Sequence, residues 1–228
     1  MYLAQNLLPG GQNRMNILNV LLSFIFAYLL GSIPTAVWIG KWFHNIDVRE
    51  HGSNNAGATN VIRTLGWETG FPVLLFDLGK GWLSTMLPLF FHAAEPETGM
   101  LVNLQVAAGL CAITGHIYPV FAQFRGGKGV ATMFGALLAL QPLLTICCFG
   151  VFLIVFLITG IVSISSIAAG IAFPLFIFLI FDTPSFFLKV FSVLVALVLI
   201  VTHHNNIKRL IKGEEKRLIK FEKNKSDT

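Results

Sequence analysis

Residues 129–160 read GVATMFGALLALQPLLTICCFGVFLIVFLITG. Whether this run crosses a bilayer once or twice decides the fold. A spanning helix needs about 20 apolar residues, and about 17 suffice. The run fits one long helix kinked at Pro142, or two helices, 129–141 and 143–160, parted at Gln141-Pro142. Proline lacks an N–H and clashes with the preceding turn, so local sequence allows both. Charge decides between them. With two helices the chain has seven spans: 16–42, 70–91, 101–121, 129–141, 143–160, 164–181 and 186–203. The loop 43–69, the loop with Arg125 and Lys128, the 160–164 turn and the C-terminal tail then share one side. The acidic loop with Glu95 and Glu97 and the turn at Asp182 take the other. With one helix, Arg125 and the tail fall on opposite sides. The tail holds eight basic residues, Lys208, Arg209, Lys212, Lys216, Arg217, Lys220, Lys223 and Lys225. Such cations collect on the cytoplasmic side. The expectation is an all-α integral membrane protein of seven helices, N-terminus outside and C-terminus in the cytoplasm.

Composition agrees. Hydrophobic residues make up 55% of the 228 and charged residues 12%, against roughly 25% charge in soluble domains. Residues 1–15 read as a loose tail containing Pro9, Gly10 and Gly11, with no cleavable signal and with Met15 as a candidate start. A single membrane domain follows over 16–203, then a basic cytoplasmic tail over 204–228. Cys111, Cys147 and Cys148 lie in apolar runs without metal-ligand spacing and read as small buried residues. The membrane lipids are expected neighbours. No nucleic-acid partner and no obligatory protein partner is expected.

Chemistry concentrates in GHIYPVFAQFRGGKGVAT, residues 115–132. Arg125 and Lys128 are set among Gly126, Gly127 and Gly129, and a helix-forming run follows at once. Glycines let backbone N–H groups converge on an anion, and a helix start adds its positive end. The expected ligand is a phosphate. The pattern is no Walker loop, because Gly129 follows Lys128 where Ser or Thr belongs. No carboxylate cluster for a divalent metal is evident, so no metal and no cofactor is expected. The HxxxxD acyltransferase signature is also missing.

Other polar motifs share that side. GSIPT, residues 31–35, ends the first span, and Pro34 places Gly31 and Ser32 at a kink or unwound turn that exposes the Ser32 hydroxyl. The 43–69 loop carries Arg49, Gly52, Ser53, Asn54, Asn55, Thr59, Asn60 and Arg63, a density that builds tight turns with open N–H groups. ATNVIRTLGW, 58–67, reads as a short interfacial helix. Asp77 and Lys80 lie three apart inside an apolar run, as a helix-locking ion pair or a substrate contact. HHNNI, 203–207, stands where the last span meets the cytoplasm. Two function classes fit: an enzyme on a phosphorylated lipid precursor, and a transporter or flippase for a phosphorylated solute. A transporter more naturally shows internal repeats and mid-bilayer polar groups, which this sequence lacks.

Taken in order, GSIPTA (31–36), DVREHGSNNAGATNVIRTLG (47–66), DLGKGW (77–82), GHIYPVFAQFRGGKGVAT (115–132) and HHNNIKRLIKGEEKR (203–217) resemble the PlsY-type acyl-phosphate:glycerol-3-phosphate acyltransferases of bacteria. The resemblance covers nearly the whole chain from about residue 20. It implies a multi-pass enzyme of the bacterial inner membrane with its active site on the cytoplasmic face. It implies transfer of a fatty acyl group from acyl phosphate to the 1-hydroxyl of sn-glycerol 3-phosphate, giving lysophosphatidic acid and phosphate. The family's GSGN is GSNN here, and its HRENI is HHNNI, with its His and Asn at His203 and Asn206. Asn205 replaces its Glu, and Glu214 or Glu215 is left to supply that charge.

The expected roles follow. Ser32, Arg49 and His203 are the catalytic candidates: Ser32 positions the glycerol or carbonyl oxygen, Arg49 neutralises phosphate, and His203 orients phosphate or moves the proton. Gly52, Ser53, Asn54, Asn55, Thr59, Asn60, Arg125, Gly126, Gly127, Lys128 and Gly129 are the substrate-binding candidates. Asp77, Lys80, His116, Asn206 and Glu214 are assigned to structure. Transfer is expected to be direct, because a serine nucleophile needs an oriented base and no carboxylate is placed to orient His203.

Overall fold

The computed structural model describes residues 15–181 and 185–219. The sequence readings on residues 1–14, on Asp182 and on Lys220, Lys223 and Lys225 lie outside them. Ten α-helices occur among the described residues: α1 Ile17–Gly31, α2 Thr35–His44, α3 Ala58–Leu65, α4 Trp67–Phe90, α5 Gly99–Ile117, α6 Val130–Leu140, α7 Pro142–Thr159, α8 Val162–Leu179, α9 Phe186–Thr202 and α10 His204–Ile211.

The run 129–160 is two helices. Gln141 takes φ −145° and ψ 75°, outside helical geometry, and Pro142 opens α7 at a position where its missing N–H has no partner to lose. Among the described residues, five helical stretches are long and apolar enough to cross a membrane: Ile17–His44, Trp67–Phe90, Gly99–Ala122, Pro142–Thr159 and Val162–Leu179. α9 with α10 makes a sixth candidate, bent by 61° at His203. α6 has 11 residues, about 16 Å of helix against a hydrocarbon layer of about 30 Å. The span expected at 129–141 is therefore an apolar helix shorter than the layer.

Close helix approach depends on missing side chains. Gly81 of α4 sits on the backbone of Thr132 in α6, and Gly135 of α6 sits on the backbone at Leu78 in α4. A Cβ at either would strike a carbonyl, so the two helices cross at backbone contact. Gly31 and Gly115 do the same for α1 and α5. Val106, Ile113, Met133, Leu137, Phe173 and Phe191 form the core that joins α5, α6, α8 and α9. A second core, with Val37, Val48, Val61 and Val73, fastens α2 and α3 to α4. The second core reaches into the loop 45–57 through Val48 and Ala56, and Arg49 joins that loop to the loop 118–129 at the carbonyls of Ala122 and Arg125.

α1 ends at Gly31 and α2 begins at Thr35, so the proline break lies where expected. Its consequence differs. Ser32 is fully buried, not exposed, and its Oγ has no hydrogen-bond partner among the described residues. The reason is Gly115, which lets α5 close directly over Ser32.

Candidate active site

The loop after α2 is shaped by one side chain. Asn60, buried in the first turn of α3, accepts from Ser53 N (2.7 Å) and Ser53 Oγ (3.0 Å) through Oδ1. Its Nδ2 faces the carbonyls of Val48, His51 and Asn55 at 2.7, 3.0 and 3.0 Å. Five contacts from one amide fold residues 48–55 into a ring around it. Gly52, at φ 66°, takes a conformation that a side chain would strain, and a Cβ there would meet Asn60 Oδ1. Asn54 sits at φ 55° in the left-handed region, which asparagine tolerates better than most residues.

Arg49 is held by protein. Its Nε and one terminal nitrogen grip Asp47 at 2.9 and 2.7 Å, and its other terminal nitrogen donates to the carbonyls of Ala122 (3.0 Å) and Arg125 (3.4 Å). The Arg49 guanidinium holds the Asp47 carboxyl well below the usual carboxylate range, and Lys41 adds a second cation at 3.2 Å. Arg49 thus staples the first polar loop to the second.

The glycine loop is also held from within. Gly126 N donates to Ile117 O and Gly127 N to His116 O, both at 3.1 Å. A Cβ at Gly126 would strike the His116 carbonyl, and one at Gly127 would strike the His116 ring. These two glycines therefore serve packing, and their N–H groups do not point at a ligand as the sequence reading expected. Gly129, at φ 78°, turns the chain into α6. Beneath the loop, Asp77 pairs with Lys80 at 2.8 Å, Lys80 donates to Ile33 O at 2.8 Å, and His116 Nδ1 meets Thr132 Oγ1 at 3.2 Å. This cluster ties α4, α5, α6 and the α1–α2 break together, which gives the first of the two sequence readings of Asp77 and Lys80 a structural basis.

Lys128 stands apart from that packing. Its ammonium donates to Asn206 Oδ1. Asn206 Nδ2 donates to Glu215 Oε1 at 2.5 Å, and Ser163 Oγ and Arg209 Nε donate to the same carboxylate at 2.9 and 2.6 Å. Burial raises the Glu215 carboxyl, but the bonds from Arg209, Asn206 and Ser163 hold it below its ordinary value. Glu214 is exposed, so the structural role assigned to it belongs to Glu215. Gly213, at φ 72°, reverses the chain after α10 and turns the second glutamate of the pair inward. Residues 213–218 then form a strap: Arg63 donates to Lys216 O at 2.9 Å and Leu218 N to Gly160 O at 2.7 Å.

Three cavities run together here. A polar one of about 330 Å³ is lined by Ser53, Asn54, Asn55, Arg125 to Lys128, Asn206 and Arg209. It shares Ser53, Asn55, Lys128 and Asn206 with a mixed cavity of about 380 Å³, which adds Thr59, Asn60, Arg63, Asp77, His116, Gly129, Ser163, His203 and Glu215. That one shares Leu74, Val130, Ala131, Phe149, Phe152 and Ser166 with an apolar groove of about 230 Å³ between α4, α6, α7 and α8. The N-terminal turns of α3 (Gly57, Ala58, Thr59) and α6 (Gly129, Val130, Ala131) both open on the middle cavity. Two helix dipoles, Lys128 and Arg63 therefore face one space. Arg63 Nε is buried without a hydrogen-bond partner among the described residues. Burial pushes Lys128 down to about 8, with Arg209 and Arg63 adding to the fall and Glu215 opposing it. His203 Nδ1 lies 2.8 Å from Leu199 O. A carbonyl can only accept, so Nδ1 carries a proton and Nε2 is the basic nitrogen.

Most of the substrate-binding candidates, with His203 and Asn206, line these cavities. Gly52 does not, and neither do Ser32 and Arg49. Sequence reasoning passed over Arg63 as a site residue, and it missed Ser163 and Arg209. Arg63 carried a readable signal, since it lies three residues beyond Asn60 and so shares its helix face.

A family model described as "Glycerol-3-phosphate acyltransferase" matches residues 21–213. The chain belongs to the glycerol-3-phosphate acyltransferase family. A glycerol-3-phosphate acyltransferase of Chlorobaculum parvum is 39% identical over 216 residues, covering 84% of this chain and 93% of that one. A crystal structure of PlsY, an integral membrane glycerol 3-phosphate acyltransferase in its glycerol 3-phosphate form, superposes with a TM-score of 0.79 at 36% identity, covering 88% of this chain and 96% of that one. The lysophosphatidic acid form gives 0.75 at 35%, covering 87% and 94%. This family member is a multi-pass membrane acyltransferase, which sets the transporter reading aside.

Proposed function

We propose that the chain transfers a fatty acyl group from acyl phosphate to the 1-hydroxyl of sn-glycerol 3-phosphate, releasing lysophosphatidic acid and phosphate. One observation carries this reading: a cavity with two helix N-termini, Lys128 and Arg63 continues into an apolar groove. The two substrates together bring two phosphates and one hydrocarbon tail. The polar side, around Lys128 and Asn206, takes glycerol 3-phosphate from water. The donor's phosphate meets Arg63 and its tail occupies the groove lined by Phe149 and Phe152.

The acceptor's 1-hydroxyl oxygen attacks the acyl carbonyl carbon. The bond from that carbon to the phosphate oxygen breaks, and phosphate leaves with the electron pair. The hydroxyl proton passes to His203 Nε2. Fixed cations and helix ends stabilise the charge moving onto the leaving phosphate, and holding both substrates in one cavity supplies a further share of the rate. Ser53 lies where both cavities meet and orients the substrates through its hydroxyl, whereas Ser32 and Arg49 build the frame. No acyl-serine intermediate forms. The donor is already a mixed anhydride, and an ester would make the second step harder.

Seven crossings, with α6 and α9 counted, put residue 1 outside and the site on the cytoplasmic face of the inner membrane. The basic tail and the acidic 92–100 loop support this sidedness. Cysteines placed at 97 and 216 should label from opposite sides. For the reaction, the purified chain in lipid discs is given glycerol 3-phosphate with acyl phosphate or with acyl-CoA. Lysophosphatidic acid should form from acyl phosphate alone. Formation from acyl-CoA alone, or from neither donor, overturns the reading.

A further inference from the structure

α10 has two faces with different duties. Asn206 and Arg209 turn inward, to Lys128 and Glu215. Ile207, Leu210 and Ile211 follow the i, i+3, i+4 rule of one helix side, and Ile211 is 81% exposed to solvent. Lys208 and Lys212 are exposed beside that stripe, and Lys216 and Arg217 are exposed on the strap that follows. α10 departs from α9 at 61°, so when α9 crosses the bilayer α10 runs obliquely through the headgroup layer. A helix with an apolar stripe edged by cations is built to lie in that layer, and its complement is an anionic lipid surface.

We propose that α10 and the strap dock on anionic lipid headgroups, and that this docking sets the position of Lys128. The coupling is mechanical. A short helix held by lipid on one side cannot roll, and its other side carries the amide that receives the Lys128 ammonium. Released from the surface, α10 rotates and takes Asn206 with it, while Arg209 pulls on the strap. The site then loses grip on whatever phosphate Lys128 holds. The kinetic part of this inference rests on the acyl-transfer reading above, and the lipid contact does not.

The test uses the full chain in discs of phosphatidylcholine alone, or of phosphatidylcholine with phosphatidylglycerol. The first arm places a nitroxide at Ile211→Cys after Cys111, Cys147 and Cys148 are changed to Ala. Its collision rates with oxygen and with a water-soluble quencher report whether position 211 sits in lipid. The second arm follows KM for glycerol 3-phosphate. In anionic discs the label should be lipid-immersed, and KM should be about five- to tenfold lower than in neutral discs, the low end of the usual coupling between two sites. Lys208→Gln with Lys212→Gln should move the label toward water and erase the KM difference without changing KM in neutral discs. A water-exposed label in anionic discs overturns the docking. A KM that ignores lipid charge while the label is lipid-immersed overturns the coupling. A chain without acyl transfer in any disc overturns the acyl-transfer reading, and the label still decides the docking.

Discussion

Ser32 and Arg49 on one side, Ser53 and Arg63 on the other, are the same two residue types in neighbouring polar segments, with opposite fates. Arg49 has its donors engaged by Asp47, Ala122 and Arg125, and Ser32 is sealed beneath Gly115. Arg63 bonds Lys216 O through one terminal nitrogen and lines the middle cavity, its buried Nε without a partner among the described residues, and Ser53 lines two cavities. For the arginines the difference lies in hydrogen-bond saturation; for the serines it lies in exposure, since Ser32 is fully buried while Ser53 bonds Asn60 and still lines the cavities. A cation whose donors already have protein acceptors is structure, and one left short beside an opening is available to a ligand.

The sharpest way to break this comparison is to remove each arginine. Arg63→Gln should lower kcat/KM by at least about 100-fold, roughly 3 kcal/mol of lost transition-state binding, with the thermal midpoint falling only slightly from the lost bond to Lys216 O. Arg63→Lys should recover little, because the planar fork is lost. A variant with near-native turnover would return Arg63 to the bland role of an interfacial cation.

Arg49→Gln should instead act on folding. It leaves the partly buried Asp47 carboxylate with Lys41 as its remaining cation, a loss of about 1–3 kcal/mol. Asp47→Asn added to Arg49→Gln should restore more than half of the stability. A single variant that is as stable as the native chain and yet inactive would put Arg49 on a substrate and collapse the contrast.

A third measurement sharpens the picture at Lys128. Its pKa lies near 8, so the ammonium is charged below that pH and neutral above it. KM for glycerol 3-phosphate should therefore rise as pH climbs through 8, by up to about tenfold per unit, with kcat less affected because bound phosphate stabilises the charged form. Lys128→Arg should remove the inflection, since guanidinium does not titrate in this range. A flat KM from pH 7 to 9 would count against Lys128 as the phosphate cation.

The smallest effect is expected at Ser32. Its hydroxyl is buried without a partner among the described residues, and such a group costs stability of about 1–3 kcal/mol. Ser32→Ala should keep full activity and unfold at an equal or slightly higher temperature. Lost activity in a folded variant would put Ser32 in the chemistry.

The helices were legible because hydropathy and proline act locally. Gln141-Pro142 parts α6 from α7 where the sequence says it should. The glycine-rich segment was also legible as a polar loop beside a cavity, and so was Lys128. What escaped was long-range or a matter of phase. The N–H groups of Gly126 and Gly127 bond to carbonyls nine and eleven residues earlier, at Ile117 and His116, so glycine density announced a tight loop and not its ligand. Burial of Ser32 depends on Gly115, far along the chain. Glu215 and Glu214 differ by one residue after a glycine of positive φ, and only the turn's geometry says which faces inward. Asp47 beside Arg49 was readable, since two residues of opposite charge at i and i+2 bracket a short turn.

The strap of residues 213–218 has a consequence for how the enzyme matures. Glu215 braces the amide that receives Lys128, and Leu218 N–H closes on Gly160 O, so the cavity is completed by a segment that follows every described membrane helix in chain order. The membrane helices can insert and pack before that segment arrives, and until it does the cavity has one wall missing. A chain cut short before residue 213 should therefore sit in the bilayer fully threaded and silent.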